Sequence, residues 1–438
     1  MRRSFFPLNA LPVFIASVTG VISCKPPASE KPVVETTPVS TSRFDNTILV
    51  ANRPEFKPTA FVDQQLVNPW GIALRPPGAG GHIWTSNAGN ASTSLYIGDV
   101  NGKPLSQDGL KILSMAAPLI SYEDGLINIT GQVYNAASDI PGQPVEFFIK
   151  GTASDLTSGK PVSIGESSGS AKFVFVTTEG TIHAWRAKTA ESMDTAIIVK
   201  DFSDHGKDQD KSLPHLAAFT GVAMTTDSFT KDATGRAVTD NRLYVTDFQN
   251  KRILTFDNQW DEITNKTPFA RPANLPEDFS PYNVQCIGDK LYVVYAVVDL
   301  GADEAAVDVP GKGNGHVAIY DRDGHLLREL ADKDLLDSPW GVTIAPAGFG
   351  DFGGDILLAN FGDGSIAAFN SKTGTFHDYL RDNEAKPLNL DGIWGIVFGN
   401  GVGLGDAMSL YYTAGPNNEQ DGVFGKVTVA KERGVASK

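Results

Sequence analysis

The sequence is poor in cysteine, with only Cys24 and Cys286 among 438 residues. Cys24 follows a segment with the pattern of a secretion signal, so the folded part of the chain contains Cys286 alone. One cysteine cannot form an internal disulfide, and we expect the fold to be stabilised by its hydrophobic core. Cys286 lies in an apolar run, Tyr282–Ile287, which predicts a buried and unreactive thiol.

The chain also lacks any stretch in which apolar residues recur with helical period for more than three turns, and this predicts a low helix content. Its 44 glycines and 26 prolines suit a protein with many turns. Length alone would favour two or three domains, but a single large β domain is also compatible with 438 residues.

Basic residues are in the minority, and the formal net charge is −14. Residues 1–23 contain two arginines and no acidic residue, so the charge without them is −16. This balance argues against nucleic acid or an anionic lipid surface as a partner. The sequence has no His-Glu-x-x-His or Cys-x-x-Cys motif, and its acidic segment 297–315 lacks EF-hand spacing. That segment, with Asp299, Asp303, Glu304 and Asp308, is predicted to be a solvated loop.

The first 23 residues predict a secretory signal, with Arg2 and Arg3 at the start and an apolar run from Leu8 to Val21. The run is short and interrupted by Pro12, so it is a poor membrane span. Val21-Ile22-Ser23-Cys24 resembles the bacterial lipobox, in which cleavage precedes a cysteine that receives a lipid. Lys25 then favours an outer-membrane lipoprotein, facing either the periplasm or the surface. A plain cleaved signal is the alternative.

Residues 24–45 are rich in Pro, Ser and Thr and predict a disordered tether between the lipid and the folded domain. We expect that domain to occupy residues 46–430, followed by a tail at 431–438.

A repeated unit dominates the rest of the chain. It is clearest at Ser338–Asn370, where three strands are predicted at Trp340–Ala345, Asp355–Ala359 and Ser365–Phe369, and Phe361–Gly364 forms the turn between the last two. Similar openings occur at Pro69-Trp70-Gly71-Ile72 and Ile393-Trp394-Gly395-Ile396, with weaker ones near residues 130, 220 and 281. Each opening is followed by two further apolar runs.

These six units repeat at about 60 residues, with a long insert in the second. Strand-only repeats of this kind are typical of a β-propeller, and a solenoid is the alternative. We therefore predict an all-β fold, a six-bladed β-propeller. A strand at Thr47–Val50 precedes the first unit and is predicted to pair beside Gly425–Val429, so that an N-terminal strand closes the ring.

Polar residues lie in the loops that a propeller would bring together on one face. They are Asn87, Glu179, Asp247, Asn283, Asn360, Asp363, Asp391 and Asn417. Carboxylate and amide oxygens suit Ca²⁺, and Glu179, Asp247, Asn283 and Asn360 are the candidate ligands. Asn87, Asp363 and Asp391 are the candidates for binding a small polar ligand. The alternative is that these residues only cap turns.

Other candidate residues are two histidines and three tryptophans. His183 and His215 could act as a general base near the axis, although a structural role is the simpler interpretation. Trp70, Trp340 and Trp394 at the unit openings are predicted to be structural. An exposed aromatic ring that stacks on a sugar is the alternative.

The runs LVNPWGIA, FVFVTTEGTIHAW, RLYVTDFQNKRILTFD, PYNVQCIGDKLYVVYA and SPWGVTIAPAGFGDFGGDILLANFGDGSIAAFN resemble an uncharacterised bacterial family of exported propellers, similar in pattern to NHL-repeat propellers. The resemblance covers about Leu66 to Val429 and implies a six-bladed propeller and export, but no activity. The architecture is more distantly similar to gluconolactonase-like calcium-dependent propellers. Glu179 and Asp247 are the nearest candidates for their axial ligands.

Two functions remain open at this point. The first is a lipid-anchored binding or scaffold module that presents its polar face to a protein, a glycan or a small molecule. The second is a calcium-dependent hydrolase or lyase acting at the axis. The sequence does not choose between the two.

Overall fold

The computed structural model describes residues 40–116, 127–155, 162–188, 191–204, 206–264, 269–300 and 306–431. The predicted signal, Cys24, most of the predicted tether and all but the first residue of the predicted tail lie outside the described residues, as do Asp303 and Glu304.

The described residues are folded almost entirely into β-strands. The first sixteen are β1 (Phe44–Ala51), β2 (Phe61–Val62), β3 (Pro69–Leu74), β4 (Ile83–Asn87), β5 (Ser92–Tyr96), β6 (Ile112–Met115), β7 (Ile129–Tyr134), β8 (Phe148–Asp155), β9 (Val162–Ser170), β10 (Phe173–Thr177), β11 (Thr181–Trp185), β12 (Ala187–Lys188), β13 (Glu191–Met193), β14 (Thr195–Asp201), β15 (Phe219–Met224) and β16 (Thr230–Lys231).

The remaining strands are β17 (Ala237–Val238), β18 (Leu243–Asp247), β19 (Arg252–Phe256), β20 (Phe279–Ile287), β21 (Lys290–Asp299), β22 (Val307–Asp308), β23 (Gly315–Tyr320), β24 (Leu326–Glu329), β25 (Pro339–Ile344), β26 (Ile356–Asn360), β27 (Ile366–Phe369), β28 (Phe376–Tyr379), β29 (Ile393–Phe398), β30 (Leu410–Ala414) and β31 (Val423–Val429). The helices within the described residues are short 3₁₀ turns at Pro54–Phe56, Ala88–Asn90, Ala136–Asp139 and Gly350–Phe352. The predicted low helix content is confirmed for this part of the chain.

Each predicted unit forms an antiparallel set of strands. The sets are β3–β4–β5–β6, β7–β10–β11–β14, β15–β18–β19, β20–β21–β23–β24, β25–β26–β27–β28 and β29–β30–β31. The first two sets join into one eight-stranded sheet because β6 pairs in parallel with β14. The predicted first strands begin within two residues of the observed ones. The turn after β26 forms as predicted, with Gly364 at a φ of +74° that suits glycine.

The N-terminal strand pairs with the C-terminal one. β1 runs antiparallel to β31, with Thr47 opposite Lys426 and Phe44 opposite Val429. The predicted pairing of Thr47–Val50 beside Gly425–Val429 is confirmed. β2 continues this sheet by pairing in parallel with β1.

Many central strands read as continuous apolar runs rather than as an alternation. All residues of β10, β26 and β27 are buried, because neighbouring sets cover both faces of each set. Each large apolar side chain buried in this way contributes roughly 1.5–3 kcal/mol of hydrophobic stabilisation. The core therefore lies in the spaces between the sets.

Glycines in the first strands allow neighbouring sets to approach closely. A Cβ built at each would lie within 3.0 Å of backbone in the next first strand: 2.7 Å from Thr130 O at Gly71, 2.9 Å from Val222 N at Gly131, 2.6 Å from Asn283 Cα at Gly221, 2.4 Å from Trp394 O at Gly341 and 2.7 Å from Trp70 O at Gly395. The amide Nδ2 of Asn283 donates to Trp340 O at 2.9 Å and supplies the remaining link, from β20 to β25. These contacts run through β3, β7, β15, β20, β25 and β29 and return to β3.

The long insert of the second unit forms its own sheet, in the order β12–β13–β8–β9. The polar segment Asp201–Ser212 contains turns over its described residues.

Candidate functional site

The space between the first strands is too narrow for a ligand. A cavity of about 20 Å³ is lined there by backbone and side chains of these strands, including Gly71, Gly131, Asn283 and Trp340. A volume of this order accommodates little more than one water molecule. Of the eight polar residues predicted to converge on the axis, Asn283 lines this cavity.

Aromatic side chains pack beside that cavity. Trp70 stacks on Trp394 with ring centroids 3.6 Å apart, and Trp394 stacks on Phe361 at 4.0 Å. Trp340 meets both tryptophans edge-on at 6.0 Å. The three tryptophans are at most 9% exposed, which confirms that they are structural. They leave little surface on which a sugar could stack.

The predicted metal ligands Glu179 and Asp247 are already bound by local donors. Asn128 donates from its backbone N and its Nδ2 to the Glu179 carboxylate, at 3.0 Å each. Asp247 is fully buried and accepts from Arg252 Nε at 2.9 Å and from Ala218 N at 3.2 Å. Burial raises the pKa of both carboxyl groups, although these donors oppose the shift.

Asn283 and Asn360 are bound in the same way. The Oδ1 of Asn283 accepts from Val284 N at 2.8 Å, while its Nδ2 binds the neighbouring strand. Asn360 donates to Ser365 Oγ at 3.0 Å and thereby holds the turn between β26 and β27. Among the described residues, no group of three or more His, Cys, Asp or Glu side chains is placed to hold a metal. The arrangement as it stands does not fit a calcium shell, and the calcium site stays a prediction.

The predicted ligand-binding residues also act locally. Asn87, buried at the end of β4, donates to Ser92 Oγ at 3.1 Å and to Ser94 Oγ at 3.0 Å. Asp363 is exposed and accepts from Ser365 N at 2.9 Å, and exposed Asp391 accepts from Asn417 N at 3.2 Å. These contacts are typical of residues that fix turns. They do not bring the three side chains together, and their ligand-binding role stays a prediction.

Two further carboxyl groups lie near the tryptophans. Tyr282 donates its hydroxyl to Asp308 Oδ1 at 2.9 Å, and Asn68 Nδ2 donates to Glu419 Oε1 at 3.2 Å. Burial raises the pKa of both acids and so favours their neutral forms. Asp308 departs from the predicted solvated loop to the extent that β22 pairs with β21 and leaves its side chain half-buried.

The candidate bases and the free thiol are sequestered. His183 is fully buried in β11 and shares a 2.8 Å hydrogen bond with Thr181 Oγ1, and burial lowers its pKa to about 4. Because its imidazole is inaccessible, His183 cannot act as a base on a ligand, and its role is structural. Half-buried His215 lies in the loop before β15. Cys286 is half-buried and burial raises its pKa to about 11, which agrees with an unreactive thiol.

A larger recess lies at the opposite ends of the strands. A cleft of about 980 Å³ is bordered by the first two strand sets and by the insert sheet. Arg75 follows the last residue of β3, His82 precedes β4, and Lys172 precedes β10, whereas Asn87 lies at the far end of β4. The cleft is therefore on the face opposite the predicted polar loops. Its volume is in the range of small-molecule sites.

One wall of the cleft is a hydrogen-bonded charge network. Arg75 Nη2 contacts Asp139 Oδ2 at 2.6 Å, and Lys172 Nζ contacts the other oxygen of the same carboxylate. Arg75 Nε donates to Tyr134 Oη at 3.0 Å, and its guanidinium lies 5.3 Å from the centroid of that ring. These contacts fix the orientation of the polar side chains.

The insert sheet supplies a second charged pair. Arg186 is 5% exposed, and its Nη1 contacts Ser167 Oγ and lies 3.5 Å from Glu191 Oε1. Within the described residues, Arg186 Nε and Glu191 Oε1 have no hydrogen-bond partner. Ser167 belongs to Gly165-Glu166-Ser167-Ser168-Gly169, which has the Gly-x-Ser-x-Gly spacing of hydrolases. It lies within strand β9 and not on a strand-to-helix turn, so it does not form a nucleophile elbow.

Aromatic rings border the cleft beneath these polar groups. Trp84 stacks on Phe173 at 4.1 Å and lies 4.9 Å from Trp185, and all three are at most 4% exposed. Trp185 donates its indole N–H to Met193 O at 2.8 Å. The sequence pattern located these rings in strands but gave no sign of the cleft, because it arises from an insert whose strands were not predicted.

Comparison with known proteins identifies relatives of unknown role. No family model matches the chain. It is 26% identical over 383 residues to uncharacterized protein R648 of Acanthamoeba polyphaga mimivirus, covering 86% of this chain and 78% of that protein. It is 30% identical over 240 residues to protein R640 of the same virus, covering 54% of this chain and 40% of the relative. These relatives are viral, so the bacterial exported family stays a prediction.

The fold is similar to several solved structures at low identity. They are an α-L-arabinofuranosidase of Fusarium graminearum (TM-score 0.45, 9% identity, 88% of this chain and 98% of that chain), an α-L-arabinanase of Penicillium chrysogenum (0.45, 10%, 90% and 99%) and the aldose sugar dehydrogenase of Escherichia coli (0.40, 12%, 88% and 100%). Likenesses of this degree identify no activity for this chain.

Proposed function

We propose that this chain is an exported, lipid-anchored six-bladed β-propeller that binds a small polar ligand in the cleft beside its insert sheet. The cleft, with its size and its fixed charged and aromatic borders, is the observation that carries the binding role. The proposal makes the protein a binding module and not a calcium-dependent enzyme acting at the axis.

The propeller interpretation is supported by the repeat and by the contacts of the first strands. The six sequence units correspond to the antiparallel sets, and their first strands touch in an order that returns to β3. β1 adds a strand from the N-terminal end to the set that contains the C-terminal strand. In a propeller, such a strand closes the ring and protects the edge that would otherwise be left open.

Filling the cleft tests the binding role. Gly109 borders the cleft, is exposed, and has open space around its missing Cβ, so Gly109→Trp should occupy the cleft without a backbone clash. Gly403 has equally open surroundings and does not border it, which makes Gly403→Trp the matched control.

Thermal unfolding of the full chain would be recorded with amino acids, dicarboxylates, nucleosides, polyamines and mono- and disaccharides. A compound that binds the native protein raises the transition temperature. We expect at least one class to raise it for the wild type and G403W but not for G109W. If every class that binds does so equally well in G109W, the cleft is not the site.

Export and lipidation have a separate test. Cys24 lies outside the described residues, and among the described ones no helix is long and apolar enough to span a membrane. The anchoring proposal therefore depends on the N-terminal sequence pattern. The assignment to the outer membrane depends in addition on a Gram-negative host. Replacing Cys24 by serine should release the protein from the membrane fraction, while replacing Ser29 by cysteine should leave it attached. Unchanged membrane retention of C24S would refute the lipid anchor.

A further inference from the structure

We infer that the ligand of the cleft is a neutral, hydroxyl-rich molecule, and hence a sugar. This inference rests on the proposed binding function and adds the chemical class. It is argued from the charge balance of the cleft and from hydrogen-bonding atoms at its border that have no partner among the described residues.

The charged groups of the cleft balance one another. Three permanent cations, Arg75, Lys172 and Arg186, face three acids, Asp108, Asp139 and Glu191. The acids are engaged as well: Asp139 bridges Arg75 and Lys172, and Asp108 lies 2.9 Å from His82 Nε2. A charged ligand would have to displace one of these partners. A neutral ligand brings no charge that needs compensation.

Arg186 and Glu191 add a requirement for a group that both donates and accepts. Their closest contact, Nη1 to Oε1, is 3.5 Å, which is longer than a good hydrogen bond. Among the described residues, the donor Nε and the acceptor Oε1 are left without partners although both are buried. Leaving such groups unpaired is costly, and a hydroxyl has one proton to donate and lone pairs to accept. A hydroxyl placed between them would donate to Oε1 and accept from Nε.

The network around Asp139 offers more contacts of this kind. Arg75, Lys172 and Tyr134 present donors, while the Asp139 carboxylate presents acceptors within the same wall. Mixed donors and acceptors along one wall match a molecule that carries several hydroxyl groups. This arrangement suits a pyranose or furanose ring better than a flat apolar ligand.

The test is isothermal titration of the full chain with neutral mono-, di- and trisaccharides, beside glucuronate, amino acids, dicarboxylates and polyamines. We expect a neutral saccharide to bind to the wild type and G403W, and to lose binding in G109W. Glu191→Leu should weaken it about tenfold because it removes the open acceptor. Glu191→Gln, which keeps an oxygen acceptor, should weaken it less.

Asp139→Asn provides a readout that a loss of structure alone would not give. This variant keeps the shape of the wall but leaves one cation uncompensated, so glucuronate should gain about three- to tenfold relative to glucose. If amino acids, dicarboxylates or polyamines bind and G109W blocks them while no saccharide does, the sugar inference falls and the binding function stands. If no compound binds at millimolar concentration, both fall.

Discussion

Gly341→Ala tests how tightly the first strands are packed. A Cβ at this position would lie 2.4 Å from Trp394 O and 3.1 Å from Ile396 N, both in the backbone of β29. Non-bonded heavy atoms pack at roughly 3.5 Å, so β29 would have to move by about 1 Å. It cannot move alone, because Trp394 on that strand is stacked between Trp70 and Phe361. Overpacking of this kind costs roughly 1–3 kcal/mol, and alanine recovers about 0.5–1 kcal/mol by restricting the unfolded chain.

We therefore expect G341A to lower the free energy of unfolding by about 1–2 kcal/mol, which corresponds to a transition temperature roughly 1–3 °C lower for a domain of this size. Urea unfolding followed by tryptophan fluorescence would measure the change, with Gly403→Ala as the control because nothing lies within 4 Å of its Cβ. Equal stability of the two variants would show that β25 and β29 are not in the contact described and would refute the packing argument.

Two further predictions concern buried groups and metal ions. Burial holds the pKa of His183 at about 4 against an ordinary value of 6.5. Between these values the unfolded chain binds a proton that the folded chain does not, so the free energy of unfolding falls as the pH drops from 6.5 toward 4. Over this range wild type should lose roughly 3 kcal/mol more than His183→Gln in urea unfolding, and an equal loss in both proteins would contradict the prediction. Calcium, predicted from the sequence at Glu179, Asp247, Asn283 and Asn360, should raise the transition temperature in a manner reversed by EDTA if it binds the native state, and no shift would remove that prediction.

The repeated strands could be predicted because their signal is local. Five of the six first strands contain glycine within an apolar run, and the glycine is required where a neighbouring backbone would lie within 3.0 Å of its Cβ, as at Gly71 and Gly395. The sixth, β20, carries Asn283 instead. The outer strands β6, β24 and β28 were not predicted. They are half exposed and short, and their pairing depends on the strand beside them more than on their own residues.

The candidate site could not be predicted for a different reason. Asn87, Asp247 and Asn360 are polar residues at the ends of second strands, where a ligand site and a turn cap have the same sequence signature. The structure shows their local partners. The groups that border the cleft come from positions as far apart as Arg75 and Glu191, and only the folded insert brings them together.

The anchoring of that insert explains why the cleft should exist before any ligand arrives. Phe147 N donates to Asn258 O in the neighbouring set, and Trp260 returns an indole N–H to Phe148 O at 3.1 Å. The buried carboxylate of Glu146 accepts from Asn241 Nδ2 at 3.0 Å and from Thr239 Oγ1 at 2.6 Å. These contacts hold the insert against the third strand set. A wall fixed in this way loses little conformational entropy on binding, so the affinity should depend on the contacts that the ligand makes and not on closure of a loop.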